Sequence, residues 1–406
     1  MEPPGRPGHR APAAPGAARE KKPLTASGRH DIVAAKLNRL SHSRRCQVAV
    51  TMREVARRAG VSKAAVSYVL NGQADSMRIP EETRERILQA VRELNYHPNR
   101  LARSLAHKAS HTVAVVMQYP AIFAGWSGFT NELMRGVTDA AIAQGLDVML
   151  HTRSPEPGWT ADGSDAVAAE VANLTDGRVD GALLLRDLDD PLITALRRKG
   201  FPTVLMFSHS DDPEEWFVDC DNVQGARQAV SHLLDLGHRR IAHLAGPARS
   251  GTGAERLQGY LDTLAEAGVD VPDEWVVRLH PGDDFTPVER MFRHGASAVP
   301  TALFAWSDEV AVRAIRILRE MDRAVPRDVS VVGFDSTAVC DHTDPPLTSV
   351  RQPVYEMAAL ALDLLARRIR GERPRETRVR TAPALVVRRS TAAPTAAREG
   401  EQSHAA

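Results

Sequence analysis

"TMREVARRAGVSKAAVSYVLNG", Thr51 to Gly72, contains two short helical patterns separated by a tight turn. Thr51 followed three residues later by Glu54 is a capping box, in which hydroxyl and carboxylate satisfy backbone N–H groups reciprocally. Val55 and Ala56 face inward, and Gly60 ends the first helix, as glycine readily does at a helix terminus. Ser62 caps the second helix, leaving Ala59, Gly60 and Val61 as the turn. Two helices joined by about three residues that include glycine form the helix-turn-helix pattern. In the second helix Ala65, Val66, Val69 and Leu70 share one face, while Lys63, Ala64, Ser67 and Tyr68 share the other. That second face is bare for a chain with 25 % charged residues, which suits a plain surface helix or a large partner fitted closely against it. A third helix opens at Pro80 with Glu81 and Glu82, and places Ile87, Val91 and Leu94 at i, i+4, i+7 to close a small core.

Charge separates this segment from the rest of the chain. Residues 1–50 carry 10 Lys/Arg against 3 Asp/Glu, residues 51–110 carry 11 against 6, and residues 111–406 carry 31 against 42. The segments therefore run +7, +5 and −11 and sum to the net +1 of the whole. A basic N-terminal part on an acidic body points to a polyanionic partner for the first part alone. Residues 1–49, rich in Pro, Ala, Gly and Arg, are expected to be a disordered basic extension, and 391–406 a disordered tail. The helix-turn-helix domain is expected over 50–98 and a hinge helix or linker over 99–110, where Pro98 breaks the preceding helix.

The run "TMREVARRAGVSKAAVSYVLNG", continued by "ETRERILQAVRELNYHPNRLARSLA", resembles the DNA-binding domain and hinge of LacI/GalR-family transcriptional regulators. The remainder agrees with that resemblance. From Thr112 apolar strand runs such as "TVAVVMQ", "VDGALLL" and "PTVLMF" alternate with amphipathic helices, and the rhythm restarts after "VDCDN" with "RIAHLAG", "TALFAW" and "VSVVGFD". Strands separated by helices of this length imply parallel sheets with crossover helices, here two doubly wound units in succession. The resemblance implies a two-lobed, periplasmic-binding-protein-like α/β domain over 111–390, for effector binding and dimerisation. Its first lobe is expected at about 111–210 and 351–371, and its second at about 211–350 and 372–390.

Ligands of such folds bind beyond the carboxyl ends of the strands. By resemblance, Arg256 in "GTGAERLQGY" grips ligand hydroxyls or a carboxylate, and Asp335 in "VVGFD" accepts hydroxyl hydrogen bonds. Trp306, Ser307 and Asp308 of "FAWSDEVA" lie at another strand end, where the family usually has Asn-Asp after a small residue. Phe129 and Trp126, after the first strand, are either ring-stacking residues or core. Asp221 and Asn222 are expected to hold the crossover between lobes rather than touch ligand. On the DNA side the second helix would lie in the major groove, with Lys63 donating to guanine and Ala64 meeting a thymine methyl. Ser67 and Tyr68 share that face, and Tyr68 stands where many relatives carry Arg. Arg53, Asn71, Thr83, Asn99 and Arg100 are candidate phosphate contacts, which position without specifying sequence. By resemblance Leu105 wedges into a minor-groove step, and a homodimer reads a pseudopalindromic double-stranded DNA operator under control of a small-molecule effector, sugar or nucleoside-like.

Other classes lack their signatures. Cys46, Cys220 and Cys340 show no C-x-x-C spacing, so neither a zinc site nor a disulfide framework is expected. No G-x-x-x-x-G-K-[ST], G-x-S-x-G or H-E-x-x-H occurs, and no cofactor or catalytic residue is expected. No apolar run reaches membrane-spanning length, so a cytoplasmic, nucleoid-associated protein is expected.

Overall fold

The computed structural model describes residues 50–97, 109–117, 128–151, 164–187, 189–279, 283–293 and 299–395, in two units divided at Asn99 and Arg100. In the first unit, helix α1 (Met52–Ala59) begins as the sequence demands. The Glu54 carboxylate accepts from the Thr51 backbone N–H at 2.6 Å, and the Thr51 hydroxyl accepts from the Glu54 N–H at 3.4 Å. Gly60 ends α1 at φ 66°, a left-handed conformation that glycine adopts without the Cβ penalty of other residues. Ser62 caps α2 (Lys63–Leu70) by accepting from the Ala65 N–H at 3.1 Å. Helix α3 (Glu81–Glu93) completes the bundle. Val55, Val66 and Ile87, one from each helix, are fully buried, and Val91 and Leu94 pack beside them.

The second unit is built on two six-stranded sheets. The first contains β1 (Thr112–Met117), β2 (Asp147–His151), β3 (Gly181–Leu185), β4 (Thr203–Met206), β5 (Phe217–Cys220) and β11 (Arg378–Thr381), all parallel, in the order β11-β5-β4-β3-β1-β2. The second contains β6 (Ile241–Ala245), β7 (Val276–Arg278), β8 (Ala302–Ala305), β9 (Ser330–Asp335), β10 (Thr348–Arg351) and β12 (Ala384–Val386) in the matching order β12-β10-β9-β8-β6-β7. Only β12 runs antiparallel there. Central strands such as β1, β6 and β9 are buried along nearly their whole length, as helices covering both faces require.

The helices of the two lobes also repeat a device. Helices α4 (Gly128–Gln144), α5 (Ser164–Leu174) and α6 (Pro191–Arg198) belong to the first lobe. Helices α7 (Asn222–Asp235), α8 (Gly251–Glu266), α9 (Thr286–Phe292), α10 (Asp308–Glu320) and the short α11 (Val339–His342) belong to the second. Helix α12 (Val354–Ile369) returns to pack its Met357, Ala358, Ala361 and Leu365 into the first lobe's core. A Cβ at Gly136 of α4 would lie 2.3 Å from the Tyr355 carbonyl of α12, and one at Gly259 of α8 would lie 2.4 Å from the Val223 carbonyl of α7. In each lobe the absence of one side chain lets two helix backbones touch.

The chain passes between lobes three times: at Asp221–Asn222, between Arg351 and Val354, and between Thr381 and Ala384. Sheet membership moves two of the expected boundaries. Strand β5 belongs to the first sheet, so the first crossing lies at Asp221–Asn222, as expected of those two residues, and not at the lobe boundary near 211, while β11 keeps the chain in the first lobe beyond 372. Both strands have only four residues, and β11 alternates exposed arginines with half-buried residues, so neither reads as an apolar run. The expected hinge lies outside the described residues except for 109 and 110, and so do the terminal extensions except for 391–395; these five are not a loose tail, since Thr391, Ala392 and Thr395 bond to His232, Ser330 and the Arg327 carbonyl.

Candidate functional site

On the DNA-binding unit, the Ser62 cap and the burial of Val66 and Val69 fix which side of α2 faces outward. Lys63 and Ala64 are exposed, and Ser67 and Tyr68 are half-buried at the edge of the same face. Asn71 donates to the Ser67 hydroxyl at 3.3 Å, a restraint on that face which the sequence reading did not include. Arg53 is exposed on α1, and Thr83, near the start of α3, accepts from Arg86 at 3.4 Å. Asn99, Arg100 and Leu105 lie outside the described residues.

In the two-lobed unit, the structure brings Arg256, Asp335, Trp306, Ser307 and Asp308 together. Asp335 ends β9 with φ 111° and is followed by Ser336 at φ 50°. Backbone strain of that kind persists only where its surroundings over-determine it, and it clusters at functional sites. The buried Asp335 carboxylate accepts from the Gln352 amide at 2.6 Å and lies 3.8 Å from the Arg256 guanidinium. Burial pushes its carboxyl well above the ordinary carboxylate range; Arg256 opposes that shift and the nearby Asp308 adds to it. Arg256, 3 % exposed, donates through Nε to Asn222 at 2.9 Å and through Nη1 to the Trp306 carbonyl. Its guanidinium lies over the Phe334 ring, 3.5 Å from the centroid. Packing, two donated bonds and a ring face thus hold the cation in one orientation.

The other expected effector residues have more structural positions. The Ser307 hydroxyl caps α10, accepting from the Val310 N–H at 3.4 Å. Asp308 accepts from the Thr337 N–H at 2.8 Å and from the Ser349 hydroxyl of β10 at 2.5 Å, so one oxygen holds the loop after β9 and the other ties to β10. Trp306 is half-buried, donates through Nε1 to the Leu279 carbonyl at 2.9 Å, and lies against Gly246, where a Cβ would come 3.0 Å from the indole. Phe129 packs on the first lobe's core with its ring 4.8 Å from that of Phe207. Its neighbour Gly128 abuts Thr337 of the opposite lobe. Trp126 lies outside the described residues. Asn222 is buried at the first crossing, donating to the Cys220 carbonyl at 3.0 Å and to Glu255 at 3.1 Å, while Asp221 caps α7.

Gln352 was missed: its amide reaches Asp335 from the second crossing, and its own Oε1 is buried without a partner among the described residues. The signal was the polar "RQ" between an apolar strand and an apolar helix. Asp180 was missed as well. Its carboxylate takes the Ser110 N–H at 2.7 Å and the His111 N–H at 2.7 Å, pinning the chain where it enters β1.

A three-helix helix-turn-helix unit and a two-lobed, mostly parallel α/β unit with a buried carboxylate at a strand end paired to a helix arginine define a class of DNA-binding regulators. Comparison with known proteins narrows it. The profile for "Bacterial regulatory proteins, lacI family" matches residues 51–99, and that for "Periplasmic binding protein-like domain" matches 230–391. The chain is 38 % identical over 354 residues to the HTH-type transcriptional regulator CelR of Thermobifida fusca, covering 84 % of this chain and 98 % of that protein. It is 31 % identical over 344 residues to the ribose operon repressor of Escherichia coli K12, covering 84 % and 99 %. Among solved structures, the transcriptional regulator CelR–cellobiose complex matches at 35 % identity with TM-score 0.60, covering 84 % of this chain and 99 % of that one. The lac repressor dimer bound to operator and the anti-inducer ONPF matches at 29 % identity with TM-score 0.72, covering 85 % and 100 %.

The chain belongs to the LacI family of transcriptional regulators and is not an enzyme. Among the described residues, no helix is long and apolar enough to cross a membrane.

Proposed function

We propose that the protein is a sugar-controlled repressor that binds a pseudopalindromic operator as a homodimer and releases or engages it according to occupancy of the cleft between the lobes. The observation that carries the cleft reading is the Arg256–Asp335 pair, 3.8 Å apart and nearly enclosed, at the end of β9. A guanidinium donates and a carboxylate accepts, so together they match vicinal hydroxyl groups, which do both. The half-buried Trp306 beside them supplies an indole suited to the apolar face of a pyranose. Solved relatives support the same reading, one bound to cellobiose and one, as a dimer, bound to operator. Asp335, Arg256, Gln352 and Trp306 are the effector contacts in this reading, with Phe129 and Trp126 on the first lobe's side. Ser307 caps α10, and Asp308 ties the loop after Asp335 to β10.

On DNA, Lys63 and Ala64 read base edges, Ser67 and Tyr68 complete the face, and Arg53, Asn71, Thr83, Asn99 and Arg100 hold phosphates. Leu105 wedges between bases at the centre of the site; such wedges cost a few kcal/mol of unstacking, offset by added contacts. In vitro selection from a random DNA pool tests the operator reading. It should return a palindrome, whereas a pool without sequence preference would contradict it. Thermal-shift screening of sugars and nucleosides tests the effector reading. A disaccharide built of β-linked glucose should raise the melting temperature most, and stabilisation by nucleosides alone would contradict it.

A further inference from the structure

The grip of Arg256 continues into a second ionic group that the effector reading does not use. His209, in the loop after β4, lies between two carboxylates. Its Nδ1 is 2.8 Å from Asp219 of β5 in the same lobe, and its Nε2 is 3.4 Å from Glu255 of α8 in the opposite lobe. Glu255 accepts from Asn222 at 3.1 Å, and Asn222 accepts from Nε of Arg256 at 2.9 Å. A continuous polar chain thus runs Asp219–His209–Glu255–Asn222–Arg256–Asp335 across the first crossing.

The imidazole carries the argument. A neutral ring donates from one nitrogen and accepts at the other, whereas an imidazolium donates from both. Two ionised carboxylates facing the two nitrogens match only the imidazolium; burial raises the Glu255 carboxyl, and the charge of His209 opposes that rise. Once neutral, one ring lone pair points at a carboxylate oxygen, and the contact on that side turns repulsive. Arg380 of β11, 3.3 Å from Glu255, is a further charged neighbour, and the Arg256 charge acts on Asp219. With His209 protonated, its charge and that of Arg380 balance Asp219 and Glu255; without the proton the group carries a net −1. The Phe217 ring, 5.9 Å away, covers the imidazole, and Arg378 lies over that same ring at 5.4 Å. His209, Asp219 and Glu255 bring their ligand atoms within 4.8 Å of one another, a set that would also suit a metal ion, and addition of EDTA separates proton from metal.

We infer that His209 is a proton-operated latch between the lobes, positioning Arg256 through Glu255 and Asn222 so that effector binding weakens as the latch loses its proton. The inference rests on the reading of the cleft as the effector site. In support, the Asp219 hydrogen bond raises the His209 pKa above its ordinary value against partial burial and Arg380, with Glu255 adding to the rise. The imidazolium is therefore present below about 6.5, and the latch opens as pH rises through the higher folded value. By linkage, an effector that prefers the latched form must raise the His209 titration midpoint when it binds.

The test is an NMR titration of full-length protein carrying 13Cε1-labelled histidine, with the His209 signal assigned by its loss in His209→Gln. The midpoint should lie above 6.5, fall in Glu255→Gln, and rise on saturation with cellobiose. A midpoint at or below 6.5, or one unmoved by Glu255→Gln, overturns the latch, and one that changes on adding EDTA overturns the proton in favour of a metal. A midpoint unmoved by cellobiose that demonstrably binds overturns the coupling to Arg256. If cellobiose fails to bind, the effector reading is wrong, while the wild-type and Glu255→Gln midpoints still decide the latch.

Discussion

The Arg256 guanidinium donates to Asn222 and to the Trp306 carbonyl and lies 3.8 Å from the Asp335 carboxylate, so one buried cation links the first lobe crossing, the residue after β8 and the end of β9. Such a group is sensitive to chemistry as well as charge. Arg256→Lys keeps the charge but loses the planar fork, and lysine cannot make both donated bonds in the same plane. Effector affinity by calorimetry should fall at least about tenfold in Arg256→Lys, within the usual span of coupling effects. Equal affinity would remove the guanidinium geometry from the site.

The DNA-binding unit depends on its first cap. Thr51→Ala removes the hydroxyl that accepts the Glu54 N–H and donates to the Glu54 carboxylate, leaving only the backbone N–H of residue 51 on that carboxylate. Removing an N-cap hydroxyl costs about 1 kcal/mol. Chemical denaturation of the isolated segment 50–97 is not needed, since operator affinity in the full chain should drop while the melting of the two-lobed unit stays the same. A melting change confined to the two-lobed unit would contradict the separation of the units.

Tyr68 should set the half-site. Tyr68→Arg places a bidentate donor at the edge of the α2 face, and arginine prefers guanine. In vitro selection with this variant should return a half-site with an added guanine, and an unchanged consensus would place Tyr68 off the base edges. Lys63→Ala should relax preference at one position, by about 1–3 kcal/mol of discrimination.

Two glycines should be equivalent across the lobes. Gly136→Ala and Gly259→Ala each drive a methyl group into a helix carbonyl of the partner helix. Overpacking of this kind costs typically about 1–3 kcal/mol, and calorimetric melting should show it for both. A neutral effect at either site would mean that the helices can part without loss.

Acid should destabilise the second lobe. His243 is fully buried between the Tyr260 and Phe304 rings, and burial pushes its pKa down to about 4. Burial lowers His238 and His232 as well. These groups bind protons more readily when unfolded, so stability is intact above about 6.5 and is lost as pH falls toward 4, on the order of 3 kcal/mol for His243 alone. His209 has the opposite sign, contributing below its unfolded value and fading as pH rises. Melting temperatures from pH 4 to 8 should climb through the lower half of that range, more steeply than in His243→Phe. A flat profile would contradict the neutral buried state.

The sequence was most legible where local chemistry decides structure. Thr51, Glu54, Gly60 and Ser62 act within a few residues of themselves, and their caps formed as the spacing implies. Apolar runs such as 330–335 became buried strands because nothing else in the chain can cover them. Strands β5 and β11 were opaque, since pairing with neighbours rather than their own composition makes them strands. Arg256 and Asp335, expected from motif and strand end, meet in the structure 3.8 Å apart. Gln352 and the His209–Glu255 contact were not legible, because they depend on residues 17 and 46 positions apart in the chain meeting across lobe crossings (352 − 335 and 255 − 209).

The central claim is that the Arg256–Asp335 pair transmits cleft occupancy to DNA. The direct measurement is fluorescence anisotropy of the selected operator, with and without saturating cellobiose, for the wild type and Asp335→Asn. The wild type should change its operator affinity by at least about fivefold, while Asp335→Asn binds the operator equally well and ignores the sugar. An Asp335→Asn protein that responds like the wild type would contradict the account.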